Sequence, residues 1–136
     1  MTYVTREEIP DVETYLRLRR EAGLSPKSPE AATLGLRNSL FSVVVHCEGI
    51  PVGMGRVVGD GGCFFEVVDI AVVPAHQKKG LGDLIMRTIM GYLRVHAPVT
   101  ALVNLLAGHG TTQFYQRYGF ELAALPDHAG MFQRMV

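Results

Sequence analysis

The chain has no surplus of charge of either sign: thirteen basic side chains cancel thirteen acidic ones over 136 residues. Neither phosphate backbones nor anionic lipids would attract it as a whole, which argues against a general nucleic-acid or membrane-surface binder. Long hydrophobic runs are missing as well. The run around Phe41 to Val45 falls far short of the ~20 apolar residues a membrane-spanning helix needs. Met1 to Arg20 contains no continuous apolar stretch, so it does not read as a signal peptide. Cysteine is scarce. Cys47 and Cys63 form no CxxC and no Cys/His ligand spacing, and they read as two buried, reduced thiols in strands. A cytoplasmic protein is the expectation from these absences. No repeat, low-complexity segment or linker-like run divides the sequence, so one domain over residues 1–136 is expected. At 48% hydrophobic the chain is neither disordered in composition nor dependent on disulfide or metal staples.

What the sequence has in quantity is glycine, fifteen residues, and the apolar periodicity around them sets out the elements. Thr5 to Glu8 reads as a capping box with Pro10 at a first helical position, ahead of a helical repeat at Val12, Tyr15, Leu16 and Arg19 that stops at Ala22-Gly23. Ser28-Pro29-Glu30 opens a second short helix to about Asn38. Ser39 to Glu48 and Val52 to Val58 read as strands joined by a turn at Glu48–Pro51. Gly59-Asp60-Gly61-Gly62 leads by a tight hairpin into a long apolar strand, Cys63 to Val73. Gly80 to Arg94 is an amphipathic helix. Thr100 to Leu106 is expected as a buried strand, Thr111 to Tyr118 as a short helix, and Phe120 to Ala124 and Met131 to Met135 as strands. The order describes a mixed α/β domain around one central sheet.

The informative stretch runs from Glu66 to Gly82, where a buried strand passes through Pro74 into Gln77-Lys78-Lys79-Gly80-Leu81-Gly82 and then directly into a helix. Glycines there let backbone N–H groups approach a ligand, and a helix N-terminus carries roughly half a positive charge. With Lys78, Lys79 and nearby Arg87, this is a cradle for an anion such as a pyrophosphate. An ordinary strand-to-helix turn with solvated lysines is the competing reading. Other phosphate motifs fail: there is no GxxxxGK[ST]. Gly53, Gly55 and Gly59 lie inside a strand with a spacing unlike the dinucleotide fingerprint. They read instead as a place where a bulge forms or another backbone comes close.

Gln77-x-x-Gly80-x-Gly82, following a strand that ends in Val-Val-Pro74, resembles the acetyl-CoA signature of the GNAT superfamily of N-acetyltransferases. Phe114-Tyr115-x-x-x-Gly119-Phe120 resembles that family's second signature, in the expected order and with a strand between. No metal, Ser-His-Asp or Cys-His arrangement competes. The resemblance implies a single α/β domain with a mostly antiparallel twisted sheet flanked by helices, splayed between two strands where acetyl-CoA enters. It implies acetyl-CoA as co-substrate and no metal. Backbone N–H groups of Gln77, Lys78, Lys79, Gly80, Leu81 and Gly82 would then hold the pyrophosphate. Ile70, Ala71 and Val72 would hydrogen-bond the pantetheine arm like an added strand. A backbone N–H near Ile70, freed by a bulge, would act as the oxyanion donor.

Glu66 stands where several relatives carry a Glu or His general base. Among Phe64, Phe65, Val67 and Val68 its carboxylate would lose hydration, which suits a base working near neutrality through a water. Asp69 competes for the role, and regular pleating would send the two to opposite faces unless a bulge breaks the parity. A structural hydrogen bond or ion pair is the alternative for either carboxylate. Tyr115 matches the family tyrosine that returns a proton to the CoA thiolate. Gly108 stands where relatives often carry an asparagine that contacts the CoA arm, and Asn104 is the substitute considered. His109 is a second acid/base candidate or an exposed loop residue. The acceptor would be shaped by the N-terminal helices and the loop 126–130. Arg19, Arg20, Arg37 and Arg56 are available either to an acidic acceptor or to salt bridges. By analogy with the family the acceptor is a small-molecule primary amine, with no nucleic-acid or membrane partner; a homodimer is also considered. Two further classes stay open: a non-catalytic acyl-CoA-binding or sensing module, and an interaction domain in which the glycine turn is only a turn.

Overall fold

A computed structural model describes residues 1–123 and 129–136. The chain forms two compact units, Met1–Asn104 and Leu105–Val136, each taken by itself below.

The first unit is a five-stranded sheet in the order β1-β2-β3-β4-β5, with three helices. Its strands are β1 (Tyr3–Glu7), β2 (Phe41–Cys47), β3 (Ile50–Gly59), β4 (Phe64–Val72) and β5 (Leu102–Asn104). The first four pair antiparallel and β5 lies parallel to β4. The helices are α1 (Val12–Glu21), α2 (Pro29–Leu36) and α3 (Leu81–His96). This is the mixed α/β domain with a mostly antiparallel sheet that the sequence led us to expect. Its first element differs, however. Thr5 lies in β1, opposite Val45, so α1 does not start behind the proposed capping box, and Pro10 precedes its N-cap rather than opening its first turn. Asp11 performs that task instead, its carboxylate accepting from the Thr14 N–H at 2.7 Å. Ser28 caps α2 as expected, with Pro29 in the first turn.

Alternation along the strands separates two layers. Gly53, Gly55 and Val57 face α3: a Cβ on Gly55 would meet Ile85 and Ile89, and one on Gly53 would meet Ile85. Val43, Val45, Phe65 and Val67 share this face through the ladder register, and with Leu81, Ile85, Ile89 and Leu93 they are buried. On the opposite face Val44 and Met54 are buried, and Arg56 reaches the α2 carbonyl of Gly35. Tyr15 and Leu18 of α1 with Ala32 and Leu36 of α2 are the buried apolar residues of the helices on that side. The β2–β3 turn holds Glu48 and Gly49 at φ 50 and 83, the left-handed pair that a two-residue hairpin needs. The β3–β4 turn is tied by Asp60, whose carboxylate accepts from the N–H groups of Gly62, Cys63 and Phe64.

Three expectations about this unit need correction. Cys47 is buried in β2, but Cys63 is exposed and precedes β4. The strand expected over Thr100–Leu106 is only Leu102–Asn104, with its ends exposed. Thr100, at φ 80, turns the chain out of the extended conformation just before it. The expected second helix ends at Leu36 rather than near Asn38.

In the second unit α4 spans Thr112–Gln116, shorter than the expected Thr111–Tyr118. Phe114 packs edge-on against Tyr115 and Tyr118, and Tyr115 against Phe120. The strands expected at Phe120–Ala124 and Met131–Met135 do not form over the described residues; Ala124 lies outside them. Strand propensity reflects fit to a half-buried pleated surface, and Met131, Phe132 and Met135 are 91%, 73% and 81% exposed. Most of the loop expected at 126–130 also lies outside the described residues. No helix among the described residues is long and apolar enough to cross a membrane.

Candidate active site on strand β4

The centre of the site is an irregularity in β4. Met54 pairs with Ala71 and Arg56 with Val68, so Gly55 alone stands opposite both Asp69 and Ile70. That two-against-one count is a β-bulge. Asp69 takes φ 60, the left-handed region, in the middle of the strand. The inserted residue resets the alternation. Val68 shares a face with its partner Arg56, and Glu66 follows by period two. Asp69 reaches that same face, because its carboxylate accepts from Arg56 Nε at 2.8 Å. The bulge therefore brings Glu66 and Asp69 onto one face, whereas Ile70 points to the other, its Cδ1 lying 2.8 Å from where a Gly55 Cβ would be.

The two carboxylates have different surroundings. Glu66 is half-buried and pairs with Asn104 where β5 ends. Asp69 is enclosed, its side chain 4% exposed. It accepts from Tyr15 Oη at 2.9 Å, from Arg56 Nε, and from Arg19 Nη1. Burial, followed by the Asp69 charge, raises the Tyr15 phenol above its ordinary value, so it remains the donor in this contact. Arg19 and Arg56 are thus engaged inside the fold, whereas Arg20 and Arg37 are exposed. The sequence reading missed Tyr15 altogether. Its only signal was a helical position, shared by any core aromatic.

Beyond Glu66 and Asn104 the parallel pairing stops, while β4 continues to Val72. Among the described residues no strand pairs with the outer edge of Val67–Val72. The N–H of Val73 bonds Val52 on β3, so the preceding residue, Val72, turns its N–H and carbonyl outward. The Gln77 amide nitrogen donates to that carbonyl at 2.9 Å. A 3₁₀ turn at Pro74–His76 follows β4, and the Tyr3 hydroxyl meets His76 Nδ1 at 2.9 Å. Lys78 and Gly80 then adopt φ 62 and 82. Gly80 is the N-cap of α3 and supplies no side-chain cap. The first N–H groups of a sixteen-residue helix therefore lack intrahelical partners, and they open beside the exposed Lys78 and Lys79. Arg87, expected to add charge here, pairs with Asp83 at 2.9 Å.

Ile70, Ala71, Val72, Gln77 to Gly82, Glu66 and Asn104 all belong to the first unit and surround one strand edge and the loop that follows it. Tyr115 belongs to α4 of the second unit. Burial raises its phenol above the ordinary value, which keeps it a proton donor at neutral pH. His109 is exposed. Among the described residues no cluster of three or more His, Cys, Asp or Glu is placed to hold a metal ion.

Among the described residues, a bulged strand with no strand on its outer edge runs into a helix whose N-cap supplies no side chain, an arrangement that can take an extended ligand along the edge and an anionic group at the helix start. The model of the GNAT acetyltransferase domain matches residues 38–122, and the chain belongs to that family. A Staphylococcus aureus protein of unknown function, described as a probable acetyltransferase, superposes with a TM-score of 0.92 at 40% identity, over 98% of this chain and all of that one. A GNAT-family acetyltransferase from Streptococcus pneumoniae gives 0.82 at 25% identity, covering 98% of each chain. Glucosamine-6-phosphate N-acetyltransferase from Arabidopsis thaliana shares the fold at 15% identity, with a TM-score of 0.67 over 98% of this chain and all of that one. No curated protein sequence matches the chain significantly. Family and neighbours support an acyltransferase, and GNAT acetyltransferases use acetyl-CoA.

Proposed function

We propose that the protein transfers an acetyl group from acetyl-CoA directly to a primary amine of a small molecule, within one ternary complex. The observation that carries this reading is the bulge at Asp69–Ile70 on a strand whose outer edge, just before the α3 cradle, pairs with no strand among the described residues. Bound acetyl-CoA supplies the activated acyl thioester; the chain supplies orientation and proton handling. The outward N–H and carbonyl of Val72, with Ile70 and Ala71 beside it, bind the pantetheine amides as an added strand would. The backbone from Gln77 to Gly82 receives the pyrophosphate, aided by Lys78 and Lys79, and Asn104 lines the point where the strands part. The Ile70 N–H stabilises the developing oxyanion. Glu66 takes the proton of the incoming ammonium through a water, and the Tyr115 hydroxyl returns one to the departing thiolate. Asp69 is the weaker candidate for the base, since its oxygens already accept from three donors.

The test has two stages. Acetyl-CoA at a hundred times its dissociation constant is expected to stabilise the protein by about 2.7 kcal/mol, read as a rise in melting temperature; no rise refutes the cofactor reading. A panel of small primary amines is then assayed for thiol release. Glu66→Gln is expected to lower turnover about 100-fold or more while acetyl-CoA affinity is retained. A stabilised protein that turns over no amine in the panel would be an acyl-CoA-binding module instead.

A further inference from the structure

We propose that Asp69 is a positioning residue: its carboxylate, held by Tyr15, Arg19 and Arg56, fixes the peptide between Asp69 and Ile70 in the orientation that acyl transfer requires. This rests on the acetyl-transfer reading above. The starting point is an anomaly. A side-chain-bearing residue occupies the left-handed region at φ 60 in mid-strand, where glycine would be at ease. Such a conformation persists only when its surroundings over-determine it, and here they do so from both faces of the sheet.

On the α1 face the carboxylate accepts from Tyr15 Oη at 2.9 Å, from Arg56 Nε at 2.8 Å and from Arg19 Nη1. The guanidinium groups are themselves anchored. Arg19 donates from Nε and Nη2 to the Ser25 carbonyl at 3.1 and 2.6 Å. Arg56 Nη1 donates to Ser39 Oγ at 2.8 Å and to the Gly35 carbonyl at 3.3 Å. Both arginine side chains are at least nine-tenths buried, so water does not compete for the carboxylate. On the α3 face, Ile70 fills the space left by the missing side chain of Gly55, against Ile85 and Ile89. The residue before the peptide and the residue after it are therefore gripped from opposite sides. The N–H between them is the proposed oxyanion donor, and it has little freedom to swing. The segment that leaves α1, through Ser25, and the end of α2, through Gly35, share this one carboxylate with the reacting strand.

Two variants test the proposal. Tyr15→Phe removes one donor and keeps the ring and both ion pairs; Asp69→Asn removes the charge that both arginines share. With an amine that the wild type acetylates, Tyr15→Phe is expected to lower kcat about 10-fold, and a folded Asp69→Asn about 100-fold, as for small misplacements of reacting groups. The KM and the calorimetric Kd for acetyl-CoA should stay within about twofold, since the Val72 N–H and carbonyl and the Gln77–Gly82 loop lie beyond the altered side chains. A purely structural role would lower the melting temperature yet leave kcat per folded molecule at its wild-type value well below the melt. That outcome overturns the proposal. If Asp69→Asn does not fold, Tyr15→Phe decides alone, and an unchanged kcat in it is a refutation. Wild-type protein that acetylates no amine would instead sink the underlying activity, so the two failures are distinguishable.

Discussion

Gly55→Ala concentrates the physical reasoning in one methyl group. A Cβ at this position would lie 2.6 Å from Ile85 Cγ2, 2.8 Å from Ile70 Cδ1 and 2.9 Å from Ile89 Cδ1. The two Cδ1 atoms are ends of side chains and have some room to turn. The Ile85 Cγ2 has none, because it sits on a β-branched carbon with one favoured rotamer in a helix, in a side chain with 0% exposure. Either α3 moves away from the sheet or the bulge flattens. Overpacking of this kind costs about 1–3 kcal/mol, offset by the ~0.5–1 kcal/mol that alanine gains over glycine in a less flexible unfolded chain. With all three neighbours inside 3 Å the cost falls in the middle of its range or above, and the net expectation is a loss of about 1–2 kcal/mol. For a domain of this length, that is a fall in melting temperature of roughly 3–10 °C. Gly91→Ala is the control. It sits within the same helix, with nothing inside 4 Å of its would-be Cβ, and is expected to gain about 0.5–1 kcal/mol. Thermal and urea melts of the two variants should move in opposite directions. The Gly55 variant should also lose acetyl-transfer activity, about tenfold in kcat/KM, because the displaced Ile70 and Ile85 flank the bulge. A Gly55→Ala protein as stable as wild type would refute the close packing on which this account of the bulge depends.

Gly80→Ala is expected to act differently, since its site is open and the obstacle is φ 82 alone. It should cost about 1–2 kcal/mol in backbone strain; if the loop relaxes instead, titration calorimetry should show acetyl-CoA affinity reduced up to about tenfold. Asp11→Ala removes the α1 cap and should cost about 1 kcal/mol at pH 7. The Thr14 N–H holds this carboxyl below its usual value. The cap's contribution is therefore present above the ordinary Asp range and lost as pH falls through the lowered one, so wild-type and variant denaturation midpoints should converge in acid. Tyr115→Phe should reduce turnover and spare acetyl-CoA binding. Because burial raises the Tyr115 phenol, its proton is in place below the ordinary tyrosine value and is lost only as pH climbs through the raised one. The alkaline limb of the wild-type rate should accordingly lie above about pH 10; a limb near neutrality would exclude Tyr115 as its source.

The parts of this molecule legible in the sequence are those determined by local chemistry. Ser28-Pro29 marks a helix start because the cap and the proline act within four residues, and the structure has Ser28 Oγ accepting from Ala31 at 3.0 Å. Gln77 to Gly82 announces a strand-to-helix turn because Gly80 must take a positive φ. Thr5 to Glu8 misled because the capping pattern is also compatible with a strand when a distant partner pairs with it, and β2 is such a partner. The failed strand at Met131–Met135 is the converse: propensity was there and a half-buried surface was not.

The bulge lies between these cases. Glycines at 53 and 55 pointed to a close approach within β3, and the parity conflict between Glu66 and Asp69 required an inserted residue somewhere between them if both were to face one site. Neither observation named the position; only the family resemblance did, by putting a bulge near Ile70, where the structure has it. What placed it was a match across 54 residues between Tyr15 and Asp69, and another across 50 between Arg19 and Asp69. No window-based pattern contains such contacts. Read one at a time, Arg19 and Arg56 suited an acidic acceptor or a salt bridge equally; together they are the counter-charge that lets a carboxylate stay in mid-sheet, where an unpaired one would be costly. The strand defect is thus specified jointly by a missing side chain on β3 and a charged one on β4. Changing either partner alone should damage the same peptide from opposite faces of the sheet.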